Sequence, residues 1–167
     1  MANLVRSPGA AIARRLQTTT DRGPLSEYLA FTLANDTYAV PIGAVREILK
    51  PPPIAEVPRA PQDVLGVASV RGMLITVIDL RLRFRMAATE PTRRSRILLV
   101  EGAEEELIGL LVDEVRQVYR LAEAEIEPAA EVLGGQLADY VIGVGRPEGE
   151  LVLLIDLRAV IGQLGSV

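Results

Sequence analysis

The chain has 167 residues, room for one domain or two small subdomains, and chains near ~150 residues bury roughly 70% of their unfolded surface. It is 49% hydrophobic but only 4% aromatic, so Val, Leu, Ile and Ala must build the core; with no Cys and no His, disulfides, zinc sites, thiol nucleophiles and the usual neutral-pH general base are all removed. The net charge of −4 is uneven, with 14 Lys and Arg against 8 Asp and Glu in residues 1–100 and 4 against 14 in residues 101–167, which suits two faces for two partners or simply two solvated faces.

Residues 1–24 hold Arg6, Arg14, Arg15 and Arg22, have no acid before Asp21, and end in Gly-Pro. This reads as an unstructured basic leader with one helical turn around "AAIARRL", or as a stretch similar to an organelle transit peptide; the apolar core of a secretory signal is missing. From Tyr28 the pattern turns to short β-rich runs. "YLAFTL" (28–33) and "YAVPI" (38–42) flank Asn35-Asp36, which is hairpin chemistry. "GAVREIL" (43–49) meets Pro51, Pro52 and Pro53, which force an extended exit. "APQDVLGVA" (60–68) reads as a helical turn and "MLITVIDL" (73–80) as a strand covered on both faces. After an arginine-rich connector at 81–96 the strand pattern resumes with "RILLVEG". "LIGLLV" (107–112) reads as a buried strand, far short of the ~20 apolar residues of a membrane span.

The resumption is a repeat. Shifted by 70, "AVPIGAVREI" (39–48) lies on "GLLVDEVRQV" (109–118); shifted by 77, residues 66–81 lie on 143–158 with eight of sixteen positions identical. The change of offset places extra connecting residues in the second copy, at 127–140. Repetition at this length predicts two related units. Each is expected to be a small barrel of about five strands, because short strands leave exposed edges unless the sheet curls. No helix is long enough to organise a parallel α/β sheet, so the fold class is all-β.

Identity between copies marks positions that serve the fold. Asp79 and Asp156 each end an apolar strand and precede Leu-Arg, and are expected to cap the next backbone turn. Gly66, Gly72, Gly143 and Gly149 are expected at chain reversals. Difference between copies marks positions free for function: Arg71 becomes Glu148, and Glu47 becomes Gln117. Arg71 in a tight turn and Glu47 just after "VR" are placed to meet across the first barrel. An exposed pair adds little stability, so fold alone is a weak reason for it; ordinary surface charge is the plain alternative.

The run "YLAFTLANDTYAVPIGAVREIL…VPRAPQDVLGVASVRGMLITVIDLRLRF" resembles the CheW family of bacterial chemotaxis adaptors, through Phe31, Leu33, Tyr38, Val40, Ile42, Val45, Glu47, Ile48, Pro58, Pro61, Gly66, Val67, Arg71, Gly72, Val77 to Arg81 and Phe84. The likeness continues through "GLLVDEVRQVYRLAEAEIEP" and spans about 28–158. It implies two five-stranded SH3-like β-barrels around a shared apolar core with short helical connectors, a domain over 25–167, and repeats at approximately 28–86 and 96–161. It implies a non-catalytic, cofactor-free cytoplasmic adaptor, recruited to receptor arrays at the inner face of the membrane. Its partners would be the signalling tip of methyl-accepting chemoreceptors and the regulatory domain of a chemotaxis histidine kinase. Carried over by position, Val45, Glu47, Arg71, Gly109, Val115 and Val118 fall where the family couples to receptor, with Gly109, Val115 and Val118 lining an apolar groove between the barrels. Ile48 falls near the kinase-facing side. Ser69-Val70 stands where the family often has Asn-Leu, and the three prolines stiffen a loop that is usually less constrained.

Two other function classes are testable against the fold. A nucleic-acid-binding barrel would use Arg81, Arg83, Arg85, Arg93, Arg94 and Arg96, although only Phe84 lies nearby for stacking and the second half is acidic. A hydrolase would need Asp79 and Asp156 to converge in one cleft.

Overall fold

The computed structural model describes residues 22–132 and 139–162. The expected leader lies outside them except for its last three residues, as does much of the extra connection of the second copy. The strands are β1 (Leu25–Leu33), β2 (Asp36–Pro41), β3 (Val45–Leu49), β4 (Val64–Val70), β5 (Met73–Asp79), β6 (Arg96–Glu101), β7 (Leu107–Val112), β8 (Glu114–Ala122), β9 (Glu127–Pro128), β10 (Val141–Gly145) and β11 (Val152–Ile155). Among the described residues, three short α-helices interrupt them: α1 (Leu80–Arg83), α2 (Ala129–Val132) and α3 (Leu157–Ile161). The all-β expectation holds.

The strands form a six-stranded sheet, β8-β1-β2-β11-β10-β9, and a five-stranded sheet, β3-β6-β7-β5-β4. The extra strand of the first is the two-residue β9. The two barrels do not coincide with the two sequence repeats. Each takes its opening hairpin from one repeat and its remaining strands from the other, so β1–β2 sits with β8, β10 and β11, and β6–β7 with β3, β4 and β5. The joins are the parallel pairs β2–β11 and β5–β7. Their registers are related by the repeat itself: Tyr38 opposite Leu153 corresponds to Ile108 opposite Thr76, and Ala39 opposite Leu154 to Gly109 opposite Val77.

The exchange follows from burial on both faces of each hairpin. Ala30 and Ala39 of the first hairpin face one barrel interior with Tyr119, Leu121, Val152 and Leu154. The alternate residues Leu29, Phe31, Leu33, Tyr38 and Val40 enter a larger core shared between the barrels, with Ile78, Leu98, Leu110 and Ile155. The other interior holds Ala68, Ile75, Val77, Ile97, Leu99 and Leu111. A hairpin with two apolar faces cannot be satisfied within its own repeat; crossing over buries both. Within the shared core, four of the six aromatic residues line up as Phe31, Tyr38, Phe84 and Tyr140, with successive ring centroids 6.2, 5.6 and 5.3 Å apart.

Several local expectations are met and several are corrected. Asp79 accepts a hydrogen bond from the Arg81 amide, and Asp156 from the amides of Arg158 and Ala159, so both cap helices. Gly72 and Gly149 sit at turns with φ of +80°. Gly66 and Gly143, expected at chain reversals, instead lie at bulges inside β4 and β10. At Gly66 the reason is close approach: a Cβ there would stand 2.0 Å from the Ala55 carbonyl oxygen. The helical turn expected over 60–68 gives way to β4 from Val64, because Leu65 and Ala68 find barrel neighbours that outweigh local propensity.

Candidate functional site

The β4–β5 hairpin turns through two residues, Arg71 and Gly72, with φ of +50° and +80°, closed by Val70 opposite Met73. Those dihedrals match a type I′ turn, and they hold the Arg71 side chain at the rim of the five-stranded barrel. On the other edge of the same sheet, Pro41 and a 3-10 turn at Ile42–Ala44 lead into β3. There Val45, Glu47 and Leu49 are half-buried while Arg46 and Ile48 face outward. The Arg71 guanidinium donates to the Glu47 carboxylate and so ties the two edge strands together. That bond holds the Glu47 carboxyl below the usual carboxylate range. The meeting of these two residues across one barrel, expected from sequence, is observed. Around the pair lie Val70, Met73, Leu99, Leu107 and a second ion pair, Arg46 with Glu101.

The corresponding rim of the other barrel is built differently. Gln117, which replaces Glu47, donates to the Tyr119 hydroxyl at 2.6 Å; that hydroxyl donates to Glu150 at 2.6 Å, and Thr37 donates to the same carboxylate at 2.8 Å. These donors hold the Glu150 carboxyl low. Sequence reading missed this network because its four members come from three separate parts of the chain: Thr37 on β2, Gln117 and Tyr119 on β8, and Glu150 in the turn before β11. One barrel rim therefore carries an exposed ion pair, the other a chain of neutral hydrogen bonds ending on a carboxylate.

The remaining predicted positions separate into two groups. Val45 and Val115, related by the repeat, both pack half-buried against the shared core. Val118 on β8 and Ile48 on β3 are exposed, at 39% and 43%. β3 and β8 are the outer strands of their sheets. Gly109 is buried in β7, where a Cβ would stand 2.7 Å from Ile97 Cγ2 in the barrel interior.

The arginine-rich connector is not a free basic stripe. Arg81 clamps Asp113 with two bonds, Nε to Oδ1 at 2.7 Å being one. Arg83 is buried, donating to Asp63 and, at 2.6 Å, to the Val160 carbonyl. Arg94 pairs with Glu114 at 3.8 Å, and Arg96 donates to the carbonyls of Arg93 and Ser95. Asp79 and Asp156 each cap their own helix and do not converge. Burial pushes the Asp79 carboxyl up, against the amides of Arg81 and Leu82 that favour its charged form. Among the described residues, no helix is long and apolar enough to cross a membrane.

Two SH3-like barrels share one core, and the polar groups described above serve as caps, clamps and rims. The CheW-like domain model matches residues 27–164. The chemotaxis protein CheW of Rhizobium meliloti is 33% identical over 80% of this chain and 86% of its own length. CheW of Bacillus subtilis is 30% identical over 83% and 88%. The crystal structure of scaffolding protein TtCheW from Thermoanaerobacter tengcongensis superposes with a TM-score of 0.76 at 30% identity, covering 82% of this chain and 92% of that one. This chain belongs to the CheW-like domain family. It is a non-catalytic coupling adaptor of chemotaxis signalling, and nothing favours the nucleic-acid alternative.

Proposed function

We propose that the chain bridges the cytoplasmic signalling tips of methyl-accepting chemoreceptors to the regulatory domain of a chemotaxis histidine kinase. Receptor contact is assigned to Val45, Glu47, Arg71, Val115 and Val118, and kinase contact to the side presented by Ile48. Gly109 acts from behind, its missing side chain setting how closely β7 packs in the barrel. The reading is carried by one observation: apart from Gly109, these residues lie on the two outer strands β3 and β8, or on the turn whose arginine closes onto β3. An amphipathic receptor helix laid beside such strands meets small β-branched side chains and one charge pair.

By sequence, residues 1–24 are assigned as a basic leader and 25–167 as the CheW-like domain. Arg22 grips Glu125 at 2.5 and 2.8 Å and the Arg120 carbonyl at 3.2 Å, which ties the start of the described chain to β8 and the turn after it. The protein works in the cytoplasm, held at the inner face of the membrane through its receptor partner.

Titration calorimetry of a receptor signalling fragment and of a kinase regulatory domain against single variants separates the two faces. Val118→Arg weakens receptor binding at least tenfold and leaves kinase binding unchanged; Ile48→Arg does the reverse. Equal loss of both partners in either variant contradicts the assignment.

A further inference from the structure

The repeat keeps an arginine and discards its partner. Arg81 in the first copy corresponds to Arg158 in the second, and both follow the helix-capping aspartate by two residues. Arg81 is held by Asp113, whose carboxylate also accepts from the Ala34 amide at 2.7 Å. The repeat places Gly43 where Asp113 stands and Glu104 where Ala34 stands. Gly43 has no side chain, and the Glu104 amide has turned to the Glu106 carboxylate at 2.8 Å. Arg158 is exposed and pairs with no carboxylate among the described residues.

The space left behind is open. A Cβ built on Gly43 meets nothing within 4 Å, and Gly43 and Arg158 line one depression of about 370 Å³. Its walls include Pro41, Ala44, Leu157 and Ile142, the last 58% exposed. Three further ionic groups line it, Arg46, Glu101 and Asp156. Arg46 is already paired with Glu101, and Asp156 is committed to the amides of α3. Asp156 does not forbid a second carboxylate, since Asp79 stands in the same relation to Arg81 while Asp113 occupies the equivalent place.

We propose that this depression is a docking site for an aspartate or glutamate side chain of a partner protein. Arg158 receives the carboxylate as Arg81 receives Asp113, and an adjoining apolar residue of the partner rests on Ile142. The first copy supplies the template for the chemistry: a guanidinium gives two parallel hydrogen bonds to a carboxylate. This assignment stands on the repeat and the cavity, and does not depend on which partner binds at Glu47 and Arg71.

The test follows the Nε–H resonances of the arginines in the full ¹⁵N-labelled chain, with N-acetyl-aspartate amide as the probe. The expected result is a saturable shift of Arg158, at least threefold that of the exposed Arg59 and directed toward the Arg81 position. Gly43→Asp, which provides the carboxylate in cis, moves Arg158 to that position without probe and abolishes the response; Gly43→Asn leaves the response in place. The proposal is overturned if Arg158 responds no more than Arg59, if Gly43→Asp folds but leaves Arg158 unmoved, or if inorganic phosphate shifts Arg158 as strongly as the capped aspartate. Should Gly43→Asp fail to fold, the probe titration of the parent and of Gly43→Asn decides alone.

Discussion

Arg71 and Glu47 close the five-stranded barrel by joining the turn after β4 to the strand at the opposite edge of the sheet. Arg71 is largely solvated and Glu47 half-buried, so the bond shapes the rim more than it holds the fold. Glu47 has its pKa lowered by Arg71, which fixes the sign of the pH dependence. The pair's contribution is present above the ordinary carboxylate pKa and is lost as pH falls through the lowered value. Arg71→Glu should therefore leave the circular dichroism spectrum and the thermal midpoint at pH 7 nearly unchanged. A collapse of either would make the arginine structural.

Arg83 gives the opposite case. Its side chain is 7% exposed and Asp63's is 15%, and the same guanidinium holds the Val160 carbonyl of α3. Removing one member strands a buried charge, a loss of about 3–5 kcal/mol. Asp63→Ala should lower the melting temperature on the order of 10 °C, given ~2–4 °C per kcal/mol for a domain of this size. The double variant Asp63→Leu, Arg83→Met should recover most of the loss in the same melt. Equal melting of the single and double variants would contradict a paired burial.

Tyr38 lies fully buried, its hydroxyl without a hydrogen-bond partner among the described residues. Burial, with Asp36 nearby, pushes its pKa up to about 12. The folded state then keeps its phenolic proton where the unfolded chain has lost it, so stability falls as pH rises from about 10 to 12, by about 2–3 kcal/mol in total. Tyr38→Phe should be neutral or stabilising by about 1 kcal/mol at pH 7, because no bond is lost and a buried polar atom is removed. It should also flatten this alkaline decline in urea titrations. Destabilisation beyond about 1 kcal/mol at pH 7 would show that the hydroxyl has a partner after all.

What was legible in the sequence was local or repeated. The caps at Asp79 and Asp156, the turn at Arg71-Gly72 and the encounter of Arg71 with Glu47 rest on residues close in the chain or duplicated in it. The exchange of hairpins was not legible, since an apolar strand such as β2 reads the same whether it pairs in its own repeat or with β11. The close packing of Ile97 against Gly109 was not legible either, because a glycine inside an apolar strand gives no sign of which neighbour approaches it. Arg83 was hidden among similar arginines: only the placement of Asp63 and α3 distinguishes it from the exposed Arg85. Arg158, which pairs with no carboxylate among the described residues, was present in the alignment of the two copies, but its meaning required the Arg81–Asp113 clamp to be in view.

Co-sedimentation of the purified chain with a receptor signalling fragment and a cognate kinase regulatory domain tests the adaptor account most directly. The account predicts that the parent carries both partners into one assembly, and that Arg71→Glu, still folded, reduces receptor incorporation several-fold. A parent that brings down neither partner across several cognate pairs would contradict it, and so would a folded Arg71→Glu variant that assembles as well as the parent.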